Sequence, residues 1–293
     1  MNKYSLVPDV EAIEAWRAIR RDVSAGKTEL LRQVAQSLRI DILEAIHEAH
    51  LGHVGGDFSV VDVLSCLYFG IARVDPSRPN WPERDRVILS KGHASVSLYA
   101  TLARCGFFDR SSLRWFAKPQ SPLNGHPNHR KVPGVEANTG PLGHGLPFAV
   151  GAAIASQLEE SARHVYVVLG DGELQEGSNW EAAMFAAHRG LDRLTAVVDR
   201  NRLQQGAGTE TINALEPLAD KWRSFGWSVQ EIPGHDHSQI LAALRERHPG
   251  RPHCLIANTT KGKGVSFMED RQAWHHRVPS SAEFATAMAE LRS

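Results

Sequence analysis

The sequence predicts an α/β fold, a doubly wound and mostly parallel sheet with helices on both faces. Two apolar runs rich in β-branched residues, 164–169 and 194–198, predict strands. Between them, residues 179–189 carry alanines at helical spacing, which predicts a strand, helix, strand crossover. Loops leave the carboxyl ends of both strands, at the edge where sheets of this type bind ligands.

The other elements follow from the same two periodicities. Helical spacing of apolar or small residues predicts helices at 35–50, 60–69, 95–104 and 143–159. Further strands are predicted at 86–89, 228–232 and 253–258. Residues 117–142 are rich in Pro and Gly and predict a long loop, which in a compact domain is usually functional or disordered.

Composition narrows the class of protein. The 293 residues contain 33 Lys plus Arg and 33 Asp plus Glu, so no overall charge favours nucleic acid or a membrane surface as a partner. The apolar stretches are expected to fall well short of a membrane span, and the polar amino terminus does not resemble a secretory signal. Cys66, Cys105 and Cys254 lack metal-binding spacing and are predicted to be buried free thiols, which suits the cytoplasm.

No repeat or linker divides the chain. We therefore expect a single domain overall, in which an N-terminal helical segment, residues 1–50, packs on the main domain at 51–293.

The two strands that flank the crossover predict a cation site. Asp171 follows the first strand and Asn201 follows the second, so both reach the same edge of a parallel sheet. A carboxylate, an amide oxygen and a nearby backbone carbonyl suit a hard cation, such as Mg²⁺, that also holds phosphate oxygens. The alternative is a plain tight turn at residues 170–172, because Asp and Gly dominate turns. The acidic turn, the helix and the Asn in this order favour a diphosphate cofactor.

This pattern resembles the thiamine-diphosphate motif, in which Gly-Asp-Gly precedes an Asn by about thirty residues. The resemblance implies that Asp171, the Asn201 side chain and the Leu203 carbonyl hold Mg²⁺, which Ca²⁺ or Mn²⁺ can replace. Gly172 then approaches the diphosphate without a side chain between them.

Four more segments resemble transketolase motifs in the order of that family. They read LGHVGG, LSKGHA, NGHP and NTGPLG, at residues 51–56, 89–94, 124–127 and 138–143, and Trp274-His275 follows. With the Gly-Asp-Gly segment they cover nearly the whole chain. The resemblance implies the thiamine-diphosphate-binding fold, with a domain of the diphosphate-binding type.

Four of the 15 histidines lie in these motifs: His53, His93, His126 and His275. Histidine titrates near neutral pH and can relay protons or donate hydrogen bonds to phosphate. The resemblance implies catalytic roles, with His53 and His126 facing the sugar and the other two near the diphosphate and the reacting carbon. A local structural hydrogen bond is the alternative for each, and the neighbouring His276 leaves the choice of His275 open.

The resemblance also implies further cofactor contacts, at Gly140, Pro141, Leu142, Glu176 and Lys261. Leu142 is expected near the aminopyrimidine, and Glu176 is expected to reach toward a neighbouring subunit. Lys261 is either a second diphosphate contact or a solvated loop lysine.

Apart from Val54, which replaces a frequent Pro, three positions depart from the family pattern. Arg200 replaces the first residue of an Asn-Asn pair, and His144 replaces a Gln. Asp57 replaces a small hydroxyl residue, and we expect it to cap the following helix rather than to select the acceptor. The roles of all three stay open at this point.

In the family, a glutamate on a second domain activates the pyrimidine, and no motif here corresponds to it. The resemblance therefore implies the amino-terminal subunit of a split transketolase, whose partner is a C-terminal, pyrimidine-binding subunit in a heterotetramer of two plus two. Such a complex transfers a two-carbon ketol unit from a ketose to an aldose. The sugar stays open among ordinary sugar phosphates, a branched sugar phosphate and a sulfonated sugar.

Two alternative functions remain. One is a subunit similar to deoxyxylulose-phosphate synthase or to another decarboxylating thiamine enzyme. The other is a non-catalytic, cofactor-binding scaffold, against which the four motif histidines argue.

Overall fold

The computed structural model describes residues 4–293, so residues 1–3 of the predicted N-terminal helical segment lie outside the described residues. One sheet contains five strands in the order β1-β2-β3-β5-β4, and every pair is parallel. The strands are β1 (Arg86–Leu89), β2 (Val165–Gly170), β3 (Leu194–Arg200), β4 (Ser228–Pro233) and β5 (His253–Asn258). This confirms the predicted parallel sheet.

Helices surround the sheet. Those within residues 4–293 are α1 (Val10–Ser24), α2 (Glu29–Ala49), α3 (Val54–Cys66), α4 (Ser95–Cys105), α5 (Gly145–Leu158), α6 (Gly177–His188), α7 (Thr209–Ile212), α8 (Leu218–Ser224), α9 (His237–Arg245) and α10 (Ser281–Arg292). A π-helical turn, Leu67–Ile71, continues α3. Residues 117–142 contain neither helix nor strand, as predicted.

Alternate side chains of each strand enter two separate cores. Val168 and Val197 join the core formed with α1, α2, α3, α4, α9 and α10. Val167 and Val198 face the opposite way, into the core formed with α5, α6 and α8. A parallel strand with two covered faces must be apolar throughout, which explains the continuous β-branched runs. The doubly wound architecture is confirmed.

Strand register sets the position of the loops that follow. Gly170 of β2 pairs with Asp199 of β3, and Arg200 of β3 pairs with Asn258 of β5. The loops after β2, β3 and β5 therefore leave the sheet side by side at its carboxyl edge. This brings the Asp171 and Asn201 loops together, as the crossover predicted.

Helix α3 begins earlier than predicted, at Val54 instead of residue 60. Gly55 and Gly56 suggested a loop, yet both lie inside the helix. A Cβ on Gly55 would lie 2.7 Å from the carbonyl oxygen of Trp274. Glycine is required there by close packing and not by a turn, a distinction that local sequence does not carry.

The expectation that every apolar stretch falls well short of a membrane span was wrong. Residues Val54–Ile71 form an 18-residue helical stretch with a mean hydropathy of 1.4, long enough to cross a bilayer by length and composition alone. However, 89% of this stretch is buried inside the protein. It is the central helix of the fold, surrounded by other helices. The three cysteines are buried and free, as predicted.

His164, at the base of β2, generates a testable pH dependence. Its Nε2 lies 2.8 Å from the Thr195 hydroxyl, and burial lowers the pKa of His164 to about 3. The unfolded chain takes up this proton near the ordinary pKa of about 6.5. The free energy of unfolding should therefore fall as the pH drops below about 6.5, because the unfolded state binds more protons.

His164→Gln should remove this contribution, which is about 1.4 kcal/mol per pH unit for one proton. Urea unfolding at several pH values between about 7 and 5 measures it. His188→Gln, at the exposed end of α6, is the control and should keep the wild-type slope. A wild-type slope in His164→Gln would show that this imidazole does not control the pH dependence.

Candidate functional site

A cavity of about 400 Å³ opens at the carboxyl edge of the sheet. Most residues predicted to bind a cofactor or metal line it: His53, His93, Gly140, Leu142, Asp171, Gly172, Glu176, Asn201, Leu203, Lys261 and His275. Pro141 is exposed outside the lining. His126 is exposed as well, with its ring against Gly140, where Cδ2 would lie 3.3 Å from an added Cβ.

The three predicted metal-binding groups belong to two hydrogen-bonded turns. Asp171 accepts the Gly172 amide (2.8 Å) through Oδ1 and the Arg202 amide (2.5 Å) through Oδ2. The Asn201 Oδ1 accepts the Leu203 amide at 3.1 Å. Asp171 is thus bonded to the same turn that presents the Asn201 amide and the Leu203 carbonyl.

Two buried lysines form the floor of the cavity. Lys91 donates to the Gly56 carbonyl (2.9 Å) and to Asp199 (2.6 Å). Lys261 donates to the Leu203 carbonyl at 3.0 Å. Burial and the charge of Lys91 lower the pKa of Lys261 to about 8, although the Asp199 and Asp171 carboxylates oppose this shift. Lys261 is buried, so its interpretation as a solvated loop lysine was wrong.

Three of the predicted histidines lie around one corner of the cavity. The His53 ring centroid lies 5.2 Å from that of His93 and 5.7 Å from that of His275, and the latter two rings stack at 5.6 Å. Burial lowers the pKa of His53 to about 4 and that of His275 to about 3, and nearby cationic side chains add to both shifts. Burial and Lys91 hold the pKa of His93 well below its usual range. All three imidazoles are therefore neutral near pH 7.

His275 and His276 have different surroundings. His275 lines the cavity and stacks on His93, and its Nδ1 is buried without a partner in the described structure. His276 is exposed outside the lining, with its ring 4.5 Å from that of His53. Of the two, His275 presents its ring to the cavity.

The cavity fits a diphosphate and its cation. The Lys91 and Lys261 ammonium groups supply positive charge, and the Asp171 and Asn201 oxygens suit a hard cation. Burial and the neighbouring Asp199 raise the pKa of Asp171, a shift that a bound cation would oppose. Buried polar atoms without a protein partner also line the cavity, at Gln204 Oε1 and His275 Nδ1.

A family model described as transketolase, thiamine diphosphate binding domain, matches residues 31–291. The chain belongs to the transketolase family. The match confirms the predicted family, fold and thiamine diphosphate cofactor.

Relatives of this transketolase include proteins that are themselves named as transketolase subunits. The chain is 44% identical to the 6-deoxy-6-sulfo-D-fructose transketolase subunit of Clostridium sp. strain MSTE9, covering 89% of this chain and 96% of that protein. It is 48% identical to one of the named subunits of apulose-4-phosphate transketolase, from Actinobacillus succinogenes, covering 82% and 88%. These near-complete matches confirm the predicted amino-terminal subunit of a split, ketol-transferring enzyme.

Solved transketolases share the fold over a part of their length. The enzyme from Campylobacter jejuni superposes with a TM-score of 0.85 at 30% identity, covering 90% of this chain and 43% of that one. The enzyme from Pichia stipitis gives 0.82 at 28% identity, covering 89% and 40%. The chain therefore spans about two fifths of these transketolases.

Glu173 is a residue of this transketolase site that the sequence analysis missed. Its buried carboxylate accepts the Ser90 hydroxyl and the amides of Gly143 and Gly170, the two amides both at 3.0 Å. It joins the loops after β1 and β2 to the segment that carries Gly140 and Leu142. The only sequence signal was its place within the Gly-Asp-Gly-Glu run.

Two departures from the family pattern have structural roles. Arg200 is buried and bonds Asp171 (3.2 Å), Thr209 (2.7 Å), Glu210 (2.7 Å) and Glu216 (2.8 Å). It therefore fastens the segment after β3 to the predicted metal ligand. His144 is exposed, and its Nδ1 lies 3.0 Å from the Leu142 carbonyl.

The expectation that Asp57 caps the helix that follows it was wrong. Asp57 lies within the first turn of α3 and accepts the Ser97 amide at 2.8 Å, in the first turn of α4. It therefore caps a helix 40 residues further along the chain. Burial raises the pKa of Asp57 to about 7.

The buried Lys91–Asp199 pair, also missed, generates a stability prediction. Although burial alone would raise it, Lys91 holds the pKa of Asp199 below its usual value. Lys91→Met leaves this carboxylate buried without its cation, and we expect a loss of about 3–5 kcal/mol in the free energy of unfolding. Denaturant titration measures the loss, and adding Asp199→Asn should recover part of it.

The matched control is Arg223→Met, which removes an exposed ion pair with Asp220. It should cost less than about 1 kcal/mol. Equal small losses in Lys91→Met and Arg223→Met would show that the buried pair does not hold the cavity floor.

Proposed function

We propose that this subunit binds the diphosphate of thiamine diphosphate through Mg²⁺ and transfers a two-carbon ketol unit together with a pyrimidine-binding partner. The observation that carries the proposal is the cavity that combines Asp171, Asn201 and the Leu203 carbonyl with two buried lysines and three neutral imidazoles. When bound, thiamine diphosphate supplies the carbanion chemistry of the transfer. The protein supplies orientation, charge and proton positions.

The proposed metal ligands follow from the oxygen atoms that these residues offer. We propose that Asp171, the Asn201 amide oxygen and the Leu203 carbonyl hold Mg²⁺, with Gly172 beside the diphosphate. Because Lys261 donates to the same Leu203 carbonyl, its ammonium is placed next to this cation site and can contact the anionic diphosphate.

The histidines divide by position. We propose that His93 and His275, stacked on one another at the cavity wall, donate hydrogen bonds to the diphosphate and to the oxygen at the reacting carbon. We propose that His53 and the more exposed His126 face the sugar. Neutral imidazoles suit these roles, since each ring then has one donor and one acceptor nitrogen.

The substrate class is proposed from the relatives. Two of them are named for 6-deoxy-6-sulfo-D-fructose and apulose-4-phosphate. Both names join a sugar to a sulfo or phosphate group. We propose that the donor is a ketose that carries such an anionic group.

Asp171→Ala tests the cation site. The variant should lose binding of thiamine diphosphate with Mg²⁺ by at least about a hundredfold, because a hard cation loses its only carboxylate ligand in the proposed set. The fold should persist, since Arg200 keeps Glu210 and Glu216 as partners. Titration calorimetry and circular dichroism measure the two properties.

Asp220→Ala, on the exposed face of α8, is the control and should bind the cofactor like the wild type. Removal of Mg²⁺ by chelation should reproduce the Asp171→Ala result. If a folded Asp171→Ala protein bound thiamine diphosphate and Mg²⁺ with wild-type affinity, the assignment of Asp171 as a metal ligand would be wrong.

A second proposal concerns the partner's docking face. Helices α5 and α6 pack together and begin beside the cavity, after Leu142 and Glu176. Their outward faces expose Phe148 (53%), Met184 (58%) and Phe185 (45%). Large apolar groups in one region typically mark an interface. We propose that the pyrimidine-binding subunit covers this face in a heterotetramer of two plus two.

This predicts that Phe148→Ser combined with Met184→Ser weakens the complex and lowers ketol transfer by at least about tenfold, since central apolar contacts dominate interface energy. Light scattering and an assay with a ketose donor measure assembly and activity. Leu158→Ser, at the end of α5 furthest from the cavity, is the control and should change neither. Full ketol transfer by the chain without any partner would contradict the proposal.

A further inference from the structure

A buried histidine–carboxylate pair lies behind the cavity, outside the residues that line it. Asp62, on α3, is 3% exposed and accepts His235 Nδ1 at 2.6 Å and Arg39 at 2.5 Å. His237 Nε2 lies 3.2 Å from the other oxygen of Asp62. None of these four residues belongs to the cavity lining.

Hydrogen bonding fixes the tautomer of His235. Its Nε2 accepts the backbone amide of Thr260 at 2.8 Å. An amide can only donate, so Nε2 carries no proton, and the ring proton therefore lies on Nδ1, which donates to Asp62. Although burial alone would raise it, Arg39 and the two histidines hold the pKa of Asp62 well below its usual range, so Asp62 is an ionised acceptor.

The Thr260 amide lies next to Lys261. The backbone amides on either side of Lys261 both donate, Thr260 to His235 Nε2 and Gly262 to the Gly55 carbonyl at 3.0 Å, while the Lys261 carbonyl accepts the Asp270 amide at 3.0 Å. The two donated bonds bracket Lys261, whose Cγ would lie 2.9 Å from a Cβ added at Gly55 and whose ammonium ends at the Leu203 carbonyl. The position of the ammonium therefore depends on both bonds.

We propose that His235 is a positioning residue, oriented by Asp62, that fixes the Thr260–Lys261 backbone so that Lys261 reaches the diphosphate subsite. The inference rests on the proposed cofactor contact of Lys261. A buried carboxylate that orients an imidazole is the arrangement used to hold catalytic and metal-binding histidines. In this protein the imidazole instead accepts a main-chain amide of a binding loop.

Loss of the ring nitrogen leaves a backbone amide without its partner, which favours displaced conformations of the segment 259–264. Binding then weakens in proportion to the fraction of molecules that keep Lys261 in place. A residue that only stabilises the fold would lower the unfolding midpoint without this specific effect on the loop.

Three variants of the full chain separate these roles. His235→Phe keeps the ring volume and removes both bonds, whereas His235→Gln keeps one donor and one acceptor. His237→Phe is the matched control, because it removes a second histidine contact with Asp62 but no bond to Thr260.

The first measurement is hydrogen exchange of residues 259–264 in the full chain without cofactor. His235→Phe should speed exchange there by at least about tenfold, since the Thr260 amide loses its acceptor. His235→Gln and His237→Phe should exchange like the wild type. Unchanged exchange in His235→Phe, or equal acceleration in His237→Phe, overturns the inference.

The second measurement is the Kd for thiamine diphosphate with Mg²⁺, on the chain with its partner, in a double-mutant cycle with Lys261→Met. His235→Phe should raise the Kd by about five- to fiftyfold in the wild-type background, and by less than about twofold beside Lys261→Met. The same factor in both backgrounds overturns the inference, because His235 would then act independently of Lys261.

Failures of the two proposals are distinguishable. If Lys261→Met binds the cofactor as tightly as the wild type, the proposed diphosphate contact of Lys261 is wrong, and the inference fails with it. If Lys261→Met weakens binding but His235→Phe does not, the inference fails alone.

Discussion

The cavity depends on the hydrogen bonds and the ion pair that the buried carboxylate of Asp199 accepts. At the end of β3 it accepts Lys91 from the loop after β1, Ser59 from α3 and Thr259 from the loop after β5. A carboxylate without access to water must be satisfied by such donors. Three segments distant in sequence are thereby held at fixed separations, and each presents other groups to the cavity.

Helix α3 supplies the polar support for the surrounding elements. Within an almost wholly buried helix, Asp57 caps α4, Ser59 donates to Asp199, and Asp62 pairs with Arg39 and His235. These groups lie among apolar residues that fill the space between sheet and helices. The helix therefore combines the hydrophobic centre of the fold with the hydrogen bonds that orient the walls of the site.

The sequence predicted those features of the fold and the site that local sequence patterns determine. Four strands are largely apolar runs, whereas the edge strand β4 mixes polar and apolar residues. The Asp171 and Asn201 loops follow two of the apolar strands, so the sheet and the meeting of these two loops could be predicted from the sequence. Lys91 lay in a noted motif without a role, and Asp199 lay directly after a predicted strand, because their contact joins positions 108 residues apart. The start of α3 and the cap at Asp57 were missed for the same reason. Tertiary packing, rather than spacing along the chain, decided both.

Arg200 links two residues on the protein surface to the buried site. Its guanidinium joins the buried Asp171 to Glu210 and Glu216, whose side chains are 40% and 55% exposed. Exposed glutamates are ordinarily free to change, but loss of either one here leaves the buried Arg200 guanidinium short of an acceptor beside Asp171, the proposed metal ligand. The shorter side chain of an asparagine at position 200 could not span these partners, so the acids at 210 and 216 have this role only together with an arginine. Two exposed carboxylates are thereby constrained by a site whose cavity they do not line.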